Sequence, residues 1–267
     1  MAASQPLAVA AGVDILKQGG NAADAAIATA AVLNVTEPQS TGLGGDAFAL
    51  FYHAKNQKVY ALNGSGRSPS SLNLNRLNRE GFIEKIPARH AYNVTVPGAC
   101  AAWSDLSERF GTLCLTKLLT PAIKLAEEGF PVSELTSCSW QEGAIHILSE
   151  ALNGHELTID GRGPYSGEIF KNRGLARALK MIADVGKDAF YQGEIADAIV
   201  NVVRKAGGCL DHKDMIAHKS TWIDPISTTY HGVRIWECPP NGQGITALIA
   251  LNILEGYDLH EMPPIIC

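Results

Sequence analysis

Two consecutive helices of short side chains, split by a glycine stop and followed by a glycine-rich turn into a strand, constrain this chain more than any other feature. They occupy residues 5–50, QPLAVAAGVDILKQGGNAADAAIATAAVLNVTEPQSTGLGGDAFAL. Gly19 and Gly20 end the first amphipathic pattern, and Asn21 is placed to cap the second helix. Asp24 falls in that helix's first turn, where a negative charge complements the helix dipole. Alanines at 22, 23, 25, 26, 28, 30 and 31 leave so little bulk that the helix is expected to press closely against a sheet. Glu37-Pro38 breaks the pattern, and Gly42, Gly44 and Gly45 open the turn before the strand.

Periodicity predicts helices over 6–18 and 22–33, then a hairpin with arms 47–53 and 58–62 around AKNQ. After a polar stretch at 68–79, VTVPG reads as a strand ending in a turn. Residues 99–110 read as a helix stopped by Gly111, and 116–128 as a helix with Pro121 in its first turn and Gly129 as terminator. A further helix is expected over 131–150, followed by a loop at 151–168 that carries four glycines and a proline. Helices over 173–185 and 192–206, a hairpin of 226–230 and 233–237 around His231-Gly232, and a last helix at 245–254 complete the pass. There is no internal repeat or coiled-coil heptad.

Only 18% of residues are charged, below the roughly one quarter usual in soluble domains, so much of the surface is meant for burial. A net charge of -5 offers no basic face for phosphates, which sets nucleic-acid binding aside. No apolar run reaches the roughly 18 residues of a membrane span, and the first residues lack a basic leader pattern. The expected location is therefore cytoplasmic, with export open if a segment precedes Met1. Six widely spaced cysteines without a Cys-x-x-Cys read as free, mostly buried thiols.

The segment GGNAADAAIATAAVLNVTEPQSTGLGGDAF closely resembles the signature of the gamma-glutamyltranspeptidase (glutathione hydrolase) family. VTVPGACAAW from Val94, GTLCLTKLLTPAIKLAEEGFPV from Gly111 and YHGVRIWECPPNGQGITALIALNILEGYDL from Tyr230 extend the likeness almost from end to end. The resemblance implies an α/β (α+β) chain of the N-terminal-nucleophile hydrolase type, a four-layer αββα sandwich that is incomplete here. Residues 1–267 would form a single partial domain, most of the large subunit. The family precursor cuts itself, and the threonine exposed at the start of the small subunit attacks a gamma-glutamyl or related amide. On this reading the nucleophile lies beyond Cys267, the chain alone turns nothing over, and its partner is a small subunit carrying that threonine. A small amide or peptide is the expected substrate, no metal or organic cofactor is implied, and a homo-oligomer stays open. The competing reading is a catalytically inactive, truncated relative that acts as a binding or dimerising partner.

The family's large subunit offers an arginine to the substrate carboxylate in a Gly-Arg-Glu-x-x-Pro context. Here the matching text is Asn63-Gly64-Ser65-Gly66-Arg67-Ser68-Pro69, which puts Arg67 two positions later. Displacement by two keeps the same side of an extended segment, so Arg67 is the candidate substrate-binding residue, the alternative being that it simply pairs with a loop carboxylate. The departure fits the acylase-like branch of the family better. No catalytic residue is assigned within the chain. Thr228 and Thr229 superficially match the Thr-Thr-His that opens a small subunit, yet GVRIWECPPNGQG follows, so they are read as strand residues. GLGGDAF precedes a strand, whereas a dinucleotide fingerprint follows one. His212 and His218, with Asp211 and Asp214, lack metal-ligand spacing and read as solvated polar residues, as do His155 and Glu156. PPNGQG is compatible with an anion at a helix start or with close helix packing.

Overall fold

The computed structural model describes residues 1–258. Helices α1 (Pro6–Lys17) and α2 (Ala22–Thr36) lead to strands β1 (Ala47–His53) and β2 (Lys58–Gly64). Then come α3 (Leu74–Arg79), α4 (Ala99–Phe110), α5 (Leu115–Glu128), β3 (Phe130–Pro131) and α6 (Glu134–Gly143). The chain continues through β4 (Ile169–Phe170), α7 (Arg173–Val185), α8 (Asp188–Tyr191), α9 (Glu194–Lys205) and α10 (His212–Ile216). Strands β5 (Thr221–Ile223), β6 (Ile226–Tyr230) and β7 (Val233–Glu237) precede α11 (Gly244–Leu254). Two compact units result: Met1–Asp46 with Ser65–Lys219, and Ala47–Gly64 with the chain from Ser220 onward.

The first unit is built around α2, buried on nearly every side. Its principal neighbours in that unit are helices α1, α4 and α5 rather than strands. Small residues permit this approach: a Cβ on Gly12 of α1 would stand 2.3 Å from the Thr29 hydroxyl of α2. The predicted cap is present, since Asn21 Oδ1 accepts from the Ala23 and Asp24 amides while Asp24 accepts from the Asn21 amide. Asp24 does more than favour a dipole. Fully buried, it also accepts from the Thr112 amide at 3.0 Å and hydroxyl at 2.5 Å, locking the turn after α4 onto the start of α2. Helix α5 runs through Pro121 rather than starting there, because Leu118, Leu119, Ala122 and Ala126 bury one face continuously and hold the turn that proline weakens.

Two further expectations change. VTVPG is extended but belongs to no ladder, since Pro97 lacks an amide hydrogen; the Val96 amide instead bonds the Arg67 carbonyl at 3.0 Å. The helix expected over 131–150 is α6 followed by a π-helical turn at Ala144–Leu148.

In the second unit, β1, β2 and β5 form an antiparallel sheet in that order, with Ala47 opposite Gly64 and His53 opposite Lys58. Strands β6 and β7 pair from Ile226–Glu237 to Tyr230–Val233. Their two-residue turn has φ of 46° at His231 and 77° at Gly232, the left-handed pair that matches hairpin twist. Thr228 and Thr229 lie within β6, and the Thr228 hydroxyl bonds the Asn252 side chain of α11. Helix α11 is apolar all round, yet among its residues only Leu248 is buried. Such a helix belongs in an interior. Phe48, Leu50 and Tyr52 of β1 are likewise exposed. Gly244 answers for PPNGQG: a Cβ there would stand 2.8 Å from the Cys238 carbonyl, so close packing requires the glycine.

Cys100, Cys209 and Cys238 are buried, Cys114 and Cys138 are exposed, and all five are free thiols. Cys267 lies outside the described residues. Burial pushes the Cys100 thiol up to about 12, which leaves it inert near neutrality.

Candidate active site

Three loops of the first unit meet around Arg67. The Gly42–Asp46 turn is closed by the Gly45 amide on the Gly42 carbonyl at 3.0 Å, and the Gly45 carbonyl accepts from the Gly98 and Ala99 amides. Asp46 then caps the second loop, accepting from the Gly66 amide at 2.9 Å. Gly66 passes so close to the third loop that a Cβ on it would lie 1.6 Å from the Val96 carbonyl oxygen. Only glycine fits there. Fixed by Gly66 on one side and by the Val96 bond on the other, the Arg67 backbone has little freedom.

The Arg67 side chain donates from Nη1 to the Lys219 carbonyl at 3.3 Å. Among the described residues it forms no ion pair with a carboxylate, whereas Arg76, Arg89, Arg162, Arg177 and Arg204 each do. Arg67, Ser68, Ser70, Val96, Asp214 and His218 line a cavity of about 150 Å³. Asp214 is already engaged, accepting from the Ser70 amide at 2.9 Å and, within the capping box at the start of α10, from the Asp211 amide at 3.0 Å. The guanidinium is thus held by a carbonyl and unmatched in charge.

His218 departs from its expected solvated role. Its ring stacks on Tyr191 with centroids 5.3 Å apart, and both ring nitrogens are buried without a hydrogen-bond partner. Tyr191 is itself anchored, donating to the Pro97 carbonyl at 2.7 Å and accepting from the Ala101 amide at 3.1 Å. Burial lowers the His218 pKa, and the Arg67 charge adds to this, against the opposing pull of Asp105 and Asp46. No sequence pattern marks this cluster, because its parts come from α4, α8 and the segment after α10. Asp211 and His212 behave as expected: Asp211 caps α10 and His212 pairs with Asp197 at the surface. His155 and Glu156 form an exposed pair.

A larger cavity of about 580 Å³ is lined by Gln39, Ser40, Arg89, Trp140 and His146, among others. Its arginine is already committed, to the His146 carbonyl at 2.5 Å and to Glu150 at 3.8 Å. Among the described residues no cluster of His, Cys, Asp or Glu could hold a metal ion, and no helix is long and apolar enough to cross a membrane.

These elements are those of a mixed α/β chain of the N-terminal-nucleophile hydrolase type, of which the chain carries a part. Residues 8–265 match the gamma-glutamyltranspeptidase family model, and the chain belongs to that family. It is 40% identical to the glutathione hydrolase-like YwrD proenzyme of Bacillus subtilis over 96% of its own length and 48% of that protein. Cephalosporin acylase from Bacillus halodurans superposes with a TM-score of 0.89 at 43% identity, covering 97% of this chain and 49% of that one. Gamma-glutamyltranspeptidase from Helicobacter pylori superposes with a TM-score of 0.90 at 29% identity, covering 99% of this chain and 77% of that one. The chain thus spans about half the length of the curated relatives it matches, 48% and 44% for two of them.

Proposed function

We propose that the chain is the large-subunit portion, within one domain, of a hydrolase or acyltransferase that cleaves gamma-glutamyl or related amides through a threonine acyl-enzyme. The nucleophile and its α-amino base come from the remainder that completes the fold. The amino group, with a pKa of about 7.7–8.0, takes the threonine proton as Oγ attacks the amide carbon, and oriented donors stabilise the oxyanion. The amine leaves with that proton, and water or a second amine resolves the ester. Arg67 holds the carboxylate of a small amide or peptide substrate. The observation that carries this role is its unmatched guanidinium at a cavity whose carboxylate, Asp214, is already engaged.

Incompleteness has its own support. The apolar α11 and the exposed face of β1 resemble surfaces made for burial against further chain. The region fills 77% of one solved relative's chain and 49% of another's.

The test is complementation. Purified alone, the chain should give background hydrolysis of a gamma-glutamyl anilide, and co-expression with a family-length remainder should restore turnover. Arg67→Ala in the restored enzyme should raise KM by about 30-fold or more, the cost of leaving a desolvated carboxylate unpaired. Turnover by the chain alone, or an Arg67→Ala enzyme within about threefold of the parent, would refute the respective part.

A further inference from the structure

Next to Arg67 lies a feature that the carboxylate reading does not use. His218 and Lys219 are consecutive: the Lys219 carbonyl receives the Arg67 guanidinium, while the His218 ring lines the same cavity. That ring is held by stacking alone, on a tyrosine whose hydroxyl is bonded to two backbone groups. Both its nitrogens are buried and without a protein partner. A histidine kept only for packing could be replaced by an aromatic hydrocarbon at no loss, and each orphaned buried nitrogen costs free energy. What distinguishes imidazole from phenyl at this spot is that it can take up a proton beside Arg67.

We propose that His218 is a proton-linked positioning residue of the Arg67 pocket, binding a proton when Arg67 binds a carboxylate. The inference rests on the carboxylate reading of Arg67. The charged and titratable groups around the ring are Arg67 in the loop after β2, Asp46 before β1, Asp105 on α4, Lys187 and Tyr191 at α8, and Asp214 on α10. Asp105 is bonded to Lys187, and Asp46 and Asp214 accept from backbone amides, whereas the Arg67 guanidinium at the cavity forms no ion pair with a carboxylate among the described residues. Burial first, and the Arg67 charge after it, disfavour the protonated ring while the pocket holds no anion. A carboxylate on Arg67 cancels that repulsion, so the bound state takes one proton from solvent onto a ring nitrogen. By linkage, lowering the pH through the His218 titration tightens carboxylate binding. The Tyr191 stack has a separate job, keeping the Lys219 carbonyl where the guanidinium needs it.

The experiment follows the His218 ring proton by NMR in the 267-residue chain, assigned by its loss in His218→Phe. Titrations are run with no addition, with L-glutamate, and with its α-amide isoglutamine, which lacks the α-carboxylate. L-glutamate should move the midpoint upward and isoglutamine should not, and L-glutamate affinity should be about tenfold greater below the titration than above it. In His218→Phe the stack persists and the pH dependence disappears; in His218→Ala binding weakens at every pH as well. If L-glutamate binds, and Arg67→Ala abolishes that binding, but the His218 midpoint stays fixed or His218→Phe keeps the pH dependence, the proposal is overturned while the Arg67 reading stands. If L-glutamate does not bind, or binds equally to Arg67→Ala, both are overturned.

Discussion

Removing the Asp24 carboxylate tests the packing logic of the first unit most severely. The residue is fully buried and accepts from the Asn21 amide at 2.9 Å, the Thr112 amide at 3.0 Å and the Thr112 hydroxyl at 2.5 Å. Asp24→Ala leaves those donors unpaired at the junction of α2 with the turn after α4. An unpaired buried donor costs about 1–3 kcal/mol, and neighbours in one network do not add fully, so the expected loss is about 3–5 kcal/mol. Asp24→Asn keeps the shape but turns an amide hydrogen toward donors, and should cost about 2–3 kcal/mol. Urea denaturation followed by far-ultraviolet dichroism and by tryptophan fluorescence reads both values. Trp103, buried on α4, reports on that junction.

The same carboxylate carries a signed pH signature. Burial alone would raise its pKa, but the hydrogen bonds from the Thr112 hydroxyl and from backbone amides outweigh burial and hold it below the ordinary aspartate value of 3.8. Its contribution is therefore complete above pH 3.8 and fades as pH falls through the lower folded-state value. Asp24→Asn should lack this part of the acid transition. An Asp24→Ala loss below about 1 kcal/mol, or an unchanged acid limb in Asp24→Asn, would refute the reasoning.

Tyr191→Phe removes the acceptor of the buried Ala101 amide and the donor to Pro97, and should cost about 1.5–3 kcal/mol in thermal or urea unfolding; a neutral result would show that the hydroxyl does not anchor α8. Arg162 grips Glu168 through two 2.8 Å bonds and, with the Tyr165 amide, lowers the glutamate to about 2. Limited proteolysis between residues 159 and 168 should stay slow above pH 4.5 and quicken toward pH 2, and Arg162→Ala should make it fast at neutrality. Gly66→Ala places a Cβ 1.6 Å from a backbone oxygen that cannot rotate away. It should speed hydrogen exchange at the Val96 amide at least tenfold, and unchanged exchange would mean that the loop yields without breaking the bond.

Much of this architecture was legible because the chain marks its own boundaries. Asn21 and Asp24 reproduce a capping box, His231-Gly232 encodes a left-handed turn, and alternation in 47–53 gives the first strand to the residue. Helices α8 and α10 and strand β5 were missed, since three to five residues carry no period to read. VTVPG has strand composition, but whether an extended segment finds a ladder depends on a partner distant in sequence. Arg67 was legible as a candidate only through the resemblance of its surroundings to the family's Gly-Arg-Glu-x-x-Pro text. His218 was not: a lone histidine in a polar run reads as solvated, and only the fold brings it onto Tyr191.

If Arg67 holds the substrate carboxylate as proposed, its two-residue displacement bears on which amide is selected. Along an extended segment two residues move the Cα by about 6–7 Å, several covalent bonds' worth of substrate. A free-swinging arginine could fold back over that distance, but this one leaves a backbone pinned by Gly66 and Val96 and is drawn to the Lys219 carbonyl. On the proposed role of Arg67, the carboxylate it holds is therefore displaced relative to one held by an arginine at position 65. Acyl transfer by threonine is indifferent to that distance, because the attacking hydroxyl and the amide carbon meet in the same way whatever lies beyond. On that proposal, what changes with the arginine's position is the length and direction of the arm between carboxylate and scissile bond. Names as different as glutathione hydrolase and cephalosporin acylase among the relatives are compatible with one reaction serving several arms.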